Sequence, residues 1–296
     1  MPKHAPFTIS PPEYQLPATL ELGPVKLQVA DLARSIDYYE RVVGLRVVER
    51  GAHSARLAAP ATTEVLVQLQ EKKGVHAVPA RGRIGLYHFA ILLPSRIALA
   101  SFLAHLGVLN EHAGMADHLV SEALYLTDPD GLGIEVYADR PRETWRLDGD
   151  AVAMATDPLN VRELLSLAVG NPWQGMPAGT RIGHVHLYVG NLSDSESFYH
   201  LGLGLDKVVL QFPGALFMSA GGYHHHLGTN IWAAKSPLAT GDDARLLEWT
   251  VKLPTKRDVS GAGSSIEKAG YSICHDAGDI VATDRWGTNV RIVSKT

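Results

Sequence analysis

The sequence predicts an α+β fold built from four similar βαβββ units, and three observations carry that prediction. The stretch VKLQVADLARSIDYYERVVGLRVV from Val25 returns as VHLYVGNLSDSESFYHLGLGLDKVV from Val185, an offset of 160. LYHFAILLP, ending at Pro94, matches LLEWTVKLP, ending at Pro254, at the same offset. DPDGLGIEVY from Asp128 parallels DRWGTNVRIV from Asp284, a polar turn followed by an apolar-alternating strand in both.

Taken in order, the first 23 residues contain Pro2, Pro6, Pro11, Pro12 and Pro17 and lack an apolar stretch. They read as an extended N-terminal arm (1–23), not a signal peptide. Within the first unit, near 24–75, Val25, Leu27 and Val29 alternate as in a strand. Leu32, Ile36, Tyr39 and Val43 then recur at helical spacing, and Gly44 supplies a left-handed stop. A second unit, near 84–140, completes a first domain over 24–140. The segment 141–180, with Pro141, Pro158, Pro172 and Pro177 around a short helical pattern at Val161–Val169, reads as a connector. Units near 182–235 and 245–296 make a second domain over 181–296. Gly221 and Gly222 read as a hairpin turn.

Bulk properties narrow the function classes. With 296 residues, 46% hydrophobic and 20% charged, the chain is long enough for two globular domains. A net charge of −4 without a dense Lys/Arg cluster argues against a nucleic-acid or anionic-membrane partner. No stretch reaches the roughly 18 apolar residues of a membrane span. The single cysteine, Cys274, excludes an internal disulfide and a Cys-rich zinc site and fits a reducing cytoplasm. Fourteen histidines, several in strand-like contexts, direct attention to metal chemistry. No dinucleotide fingerprint, phosphate loop or Ser-His-Asp arrangement is evident.

The paired units, the (D/N)L helix start with its aromatic pair, and the strings GHVHLYV, YHHHLGTNIW, LYHFAILLPSR and DHLVSEALYLTDPDGLGIEVYADRP together resemble the vicinal-oxygen-chelate superfamily over about 270 residues. Within it the chain is most similar to type I extradiol ring-cleaving dioxygenases, especially bacterial catechol 2,3-dioxygenases of the Bacillus kind. The resemblance implies two cupped mixed sheets, each closed by two units, with metal ligands on the first and last strands of a unit. Register places Pro24, His88, His184 and Glu248 at the first-strand positions, and Glu135 and Arg291 at last-strand positions. If neighbouring units pair, neither half completes a site, because Pro24 and Arg291 cannot ligate a cation. If the second unit pairs with the third, His88, Glu135 and His184 form the two-His-one-carboxylate facial triad of non-haem Fe(II) oxygenases. That pairing departs from the better-known two-domain extradiol enzymes, whose ligands all lie in the second half. The expected cofactor is Fe(II), with Mn(II) as the alternative, and the expected partners are a small aromatic diol and O₂. Superfamily members commonly associate, so a homo-oligomer is compatible with this reading. Glu248 and Arg291 would form an ion pair in the metal-free counterpart.

The resemblance also implies a His acid/base in the run His224–His226. Shared strand parity with Asn230 and Trp232 favours His226, with His225 beside it. His118 and Tyr125 are expected to donate to substrate oxygens. His186, on the same strand face as His184, together with His225 and Asn230, is expected at the substrate. Asp128, Asp130 and Gly131 read as turn formers only. His53, His76, His105, His112, His200 and His275 read as surface or packing residues, and the five tryptophans as core or interface. Two competing functions stand beside ring cleavage. One is another metal-dependent enzyme of the same fold, such as a hydroquinone dioxygenase, a glyoxalase-like isomerase or a thiol transferase. The other is a metal-free protein that binds or sequesters an aromatic compound.

Overall fold

The structure, a computed structural model, describes residues 8–148 and 151–296. Four strand–helix–meander units follow one another. The first holds β1 (Glu21–Val29), α1 (Leu32–Tyr38), β2 (Arg46–Arg50), β3 (Ser54–Ala58) and β4 (Val65–Glu71). The second holds β5 (Gly85–Leu92), α2 (Arg96–Leu109), β6 (Gly114–Asp117), β7 (Ser121–Thr127) and β8 (Gly133–Asp139). A connector with the short strands β9 (Leu147–Asp148) and β10 (Ala151–Val152) and the helix α3 (Val161–Ser166) leads to the third unit. This comprises β11 (Arg181–Tyr188), α4 (Leu192–Ser195), β12 (Asp206–Val209), β13 (Ala215–Ser219) and β14 (Leu227–Asn230). The fourth comprises β15 (Arg245–Leu253), α5 (Lys256–Lys268), β16 (Ile273–Asp276), β17 (Asp279–Thr283) and β18 (Asn289–Ser294).

Local chemistry explains the repeated helix starts and stops. Asp31 and Asn191, equivalent in the repeat, each accept a backbone N–H from three residues on and so satisfy donors that the first helical turn leaves unpaired. Thr255 does the same for α5 in a reciprocal capping box with Asp258. Both α1 and α4 widen into π-helical turns, Tyr39–Val43 and Glu196–Gly202. The chain then turns at Gly44 and Gly204, whose φ values of 85° and 97° suit glycine.

The sheets do not follow the halves of the sequence. One has the order β16-β17-β18-β15-β1-β4-β3-β2 and the other β12-β13-β14-β11-β5-β8-β7-β6. At the centre of each, strands from opposite halves run antiparallel: β1 beside β15, and β5 beside β11. Unit one therefore pairs with unit four, and unit two with unit three. The halves 24–140 and 181–296 each supply one unit to both sheets, in the pairing of unit two with unit three that the ligand set requires, and neither half closes a sheet by itself. The strand β1 also begins at Glu21, inside the expected arm, and the described part of that arm, from residue 8 on, is held fast. Ile9 exchanges backbone hydrogen bonds with Lys207, Gln15 donates to Asp206, and Leu16 and Leu20 are buried.

Two buried hydrogen bonds tie consecutive units across the sheets. The Tyr39 hydroxyl donates to Asp128 and the Tyr199 hydroxyl to Asp284, the repeat-related residues opening the DPDG and DRWG turns. Asp128 also accepts the N–H groups of Asp130 and Leu132, while Asp130 receives Ala30 N–H and pairs with Arg34. These aspartates thus clamp one unit to the next as well as forming the expected turn.

Candidate metal centre

Strand β11 is buried on both faces from Ile182 to Tyr188. Val185 and Leu187 join the hydrophobic core, and alternation sends His184 and His186 to the other face. Across the sheet, His184 lies opposite Ala90 of β5, and Ala90 in turn lies opposite Glu135 of β8. His88 precedes Ala90 by two residues and so shares its face. The row His184–Ala90–Glu135 has only a methyl group in its middle, which leaves space for three long side chains to converge above it.

They do converge. The Nε2 atoms of His184 and His88 are 3.3 Å apart, and the Glu135 Oε2 lies 3.0 Å from the first and 2.9 Å from the second. All three residues are buried, and this is the one such cluster of His, Cys, Asp and Glu side chains found among the described residues. The separations test whether a metal fits. Adjacent donors of an octahedral ion with bonds of about 2.1 Å stand about 3.0 Å apart, against about 3.4 Å for a tetrahedral one. The triangle matches one face of the octahedron and leaves the opposite side free of these donors. Donor chemistry agrees. Burial raises the Glu135 carboxyl, but His184 and His88 outweigh it and hold the group well below the usual carboxylate range; burial also lowers the His88 imidazole. An ionised carboxylate beside a neutral imidazole is the state a cation requires. Among the described residues the Nδ1 atoms of His88 and His184 have no hydrogen-bond partner, so packing orients the rings. Tyr87 lies 4.6 Å from His88, and His225 lies 4.1 Å from His184, centroid to centroid.

A cavity of about 610 Å³ opens onto this cluster, with His88 and Glu135 in its wall. His118, Tyr125, His186 and His225 line it as well. The Tyr125 hydroxyl is 2.6 Å from His118 Nε2, while His118 Nδ1 is 2.6 Å from the Ala155 carbonyl. That carbonyl can only accept, so Nδ1 carries a proton, and in that tautomer Nε2 accepts the Tyr125 O–H. Burial, followed by the Glu135 charge, pushes the Tyr125 phenol well above its usual range.

Two of the expected site residues lie elsewhere. His226 does not line this cavity; it lines a separate space of about 360 Å³ beside Arg181 and Tyr223, and its Nδ1 accepts the Ala220 N–H. Burial lowers its imidazole to about 3. Strand parity failed there because β14 begins at Leu227, leaving the three histidines in the turn before it, where alternation does not govern. Asn230 also lies off the wall. Its Oδ1 accepts Trp232 N–H, so its amide donates to His186 Nε2 at 3.0 Å and fixes that ring.

Other wall residues carried no signal recognised in the sequence. Met154 and Thr156 come from the connector, Arg81 from a loop, and Tyr87, Phe212, Phe217 and Trp232 supply aromatic surface. Phe217 had a latent one, since it lies opposite Gly228 on a strand beside the histidine-bearing β11. In the other sheet, the counterpart of the triad is an ion pair, Arg291 Nε to Glu248 Oε1 at 2.7 Å, with Asp276 and Asp279 on the same guanidinium. The expectation of that pair is met.

Residues 21–136 match the Glyoxalase/Bleomycin resistance protein/Dioxygenase superfamily. A curated relative, the catechol-2,3-dioxygenase of Bacillus subtilis (strain 168), is 42% identical over 256 residues, covering 85% of this chain and 89% of the relative. The chain belongs to this superfamily. A solved candidate dioxygenase from Bacillus subtilis superposes with a TM-score of 0.64 at 15% identity, over 95% of this chain and 86% of its own. Glyoxalase I from Zea mays gives 0.55 at 16% identity, over 93% and 92%; both likenesses concern the fold. With its 42% relative, the chain stands among the extradiol dioxygenases, which are oxidoreductases.

Proposed function

We propose that the protein is an Fe(II)-dependent enzyme that opens catechol, or a substituted catechol, beside its hydroxyls using O₂. The convergence of His88, Glu135 and His184, with His88 and Glu135 in the cavity wall, carries this reading. These three side chains would hold the ion, Mn(II) being the alternative. Such an ion would supply a Lewis acid for an aromatic diol and a path for electron density from the ring to oxygen.

The surrounding residues supply the rest. The flat aromatic surfaces of Tyr87, Phe217 and Trp232 suit a planar ring. His225, in place of His226, is the group positioned to take a proton from a substrate hydroxyl and return it later. Tyr125 keeps its proton because burial raises its phenol, and its O–H, turned from His118 Nε2 toward the cavity, would offer a hydrogen bond to developing negative charge on oxygen. His186, held by Asn230, packs against the substrate. The largely apolar wall keeps water from competing. An isomerase of the glyoxalase kind, with four protein ligands including two carboxylates, fits less well, because the cluster offers three ligands and one carboxylate. The single exposed Cys274 suits a reducing cytoplasm. No helix among the described residues is long and apolar enough to cross a membrane.

Anaerobic Fe(II) loading of the wild type, His88→Ala and His184→Ala, followed by metal analysis and addition of catechol and air, tests the proposal. The wild type should retain about one iron per chain and form the yellow ring-cleavage product, and both variants should lose iron by roughly 10²-fold or more in affinity. A colourless wild-type reaction rejects ring cleavage; full iron in His184→Ala rejects the site shared between the two halves.

A further inference from the structure

Behind His225, a chain of buried hydrogen bonds runs through the sheet and away from the cavity. His225 Nδ1 is 2.8 Å from His224 Nδ1, and His224 Nε2 is 2.9 Å from Asp139 Oδ1. His224 is fully buried and His225 nearly so, while the Asp139 side chain is 24% exposed at the far end. The Tyr223 hydroxyl donates to Asp139 Oδ2 at 2.9 Å and fixes the carboxylate from a second side. Trp145 and Tyr223 pack on the His224 ring with centroids 5.4 and 4.0 Å away.

The direction of each hydrogen bond follows from what its partners can do. An ionised carboxylate only accepts, so His224 donates to it from Nε2. A neutral imidazole protonated at Nε2 has a lone pair at Nδ1, and His225 must therefore donate from its own Nδ1. Among the described residues His225 Nε2 has no hydrogen-bond partner, so in this tautomer it is a bare lone pair on a ring that lines the cavity. We infer that Asp139 and His224 are positioning residues which, through this chain of fixed hydrogen bonds, hold His225 in the one tautomer that presents an acceptor nitrogen to the substrate. The inference rests on the ring-cleavage reading for its catalytic meaning, but the tautomer itself does not depend on it. The aspartate, four residues beyond Glu135 on β8, and the histidine, from the turn before β14, come from units two and three, so both units of the paired sheet share in orienting one ring.

The experiment is two-bond ¹⁵N–¹H correlation spectroscopy of the full chain labelled at histidine, with Zn(II) in place of iron to keep lines narrow. The His225 signals are assigned by their loss in His225→Gln. Wild-type His225 should show a protonated Nδ1 and a bare Nε2. In Asp139→Ala and His224→Phe that tautomer should give way to a mixture. In the iron-loaded proteins kcat should fall roughly 10- to 100-fold in both variants, with KM and iron content little changed. A wild-type His225 protonated at Nε2 overturns the inference even if neither variant folds. So does an unchanged kcat in both variants. If the wild type cleaves no catechol, the proposed reaction fails, while the nitrogen signals still decide the tautomer.

Discussion

Tyr125 and Asp128 show how burial makes single side chains informative. The Tyr125 phenol, raised well above its usual range by burial and by Glu135, holds its proton and so keeps an O–H to donate. Tyr125→Phe should therefore lower kcat by roughly 10- to 100-fold, leave metal content unchanged and leave the alkaline limb of the pH–rate profile where it was. A shifted limb would assign that ionisation to Tyr125 after all. Asp128 is raised from 3.8 to about 7, chiefly by burial. Since its folded value exceeds its unfolded one, the stability linked to its proton is present below about pH 4 and is lost as pH rises through about 7. Asp128→Asn keeps the shape and removes the charge. Its urea midpoint relative to wild type should thus be higher at about pH 7.5 than at about pH 4.5. Residues in regular strands were readable from sequence register, as His88, Glu135 and His184 were. His226 was not, because its backbone lies in the turn before β14, and which of three adjacent histidines points inward is decided there by tertiary contacts.

At the level of elements, the site depends on how closely β5, β8 and β11 approach one another. A Cβ added at Gly133 would sit 2.1 Å from the Tyr87 carbonyl oxygen, so the backbones of β5 and β8 would have to separate. Gly133→Ala should destabilise the protein by about 1–3 kcal/mol and weaken metal retention as well, because those strands carry His88 and Glu135. Loss of stability in urea with undiminished metal affinity would mean that the ligands do not depend on that spacing. The strand–helix pattern of each unit, the caps at Asp31 and Asn191 and the stops at Gly44 and Gly204 were legible because each follows from local chemistry. The connector was legible as a break in the pattern, but not as the source of Met154 and Thr156. A segment with little periodicity gives no hint of which side chains it lowers into a cavity.

For the molecule as a whole, the sheets join units one with four and two with three. A fragment comprising 24–140 or 181–296 holds two half-sheets, each ending in an unpaired central strand. Either fragment as a monomer should lack a cooperative thermal transition, and a sharp unfolding step in an isolated monomeric half would contradict this. The pairing was legible only by elimination, since Pro24 and Arg291 spoil the alternatives; hydrophobic pattern alone is the same for either arrangement. The 96 positions separating His88 from His184 also have a meaning in time. A ribosome adding about 5–20 residues per second makes β5 roughly 5–20 s before its neighbour β11 exists. During that interval the nascent chain carries a hydrophobic, open-edged strand and two of its three donors. Newly made protein is thus most open to aggregation, and to binding the wrong metal, midway through its own synthesis.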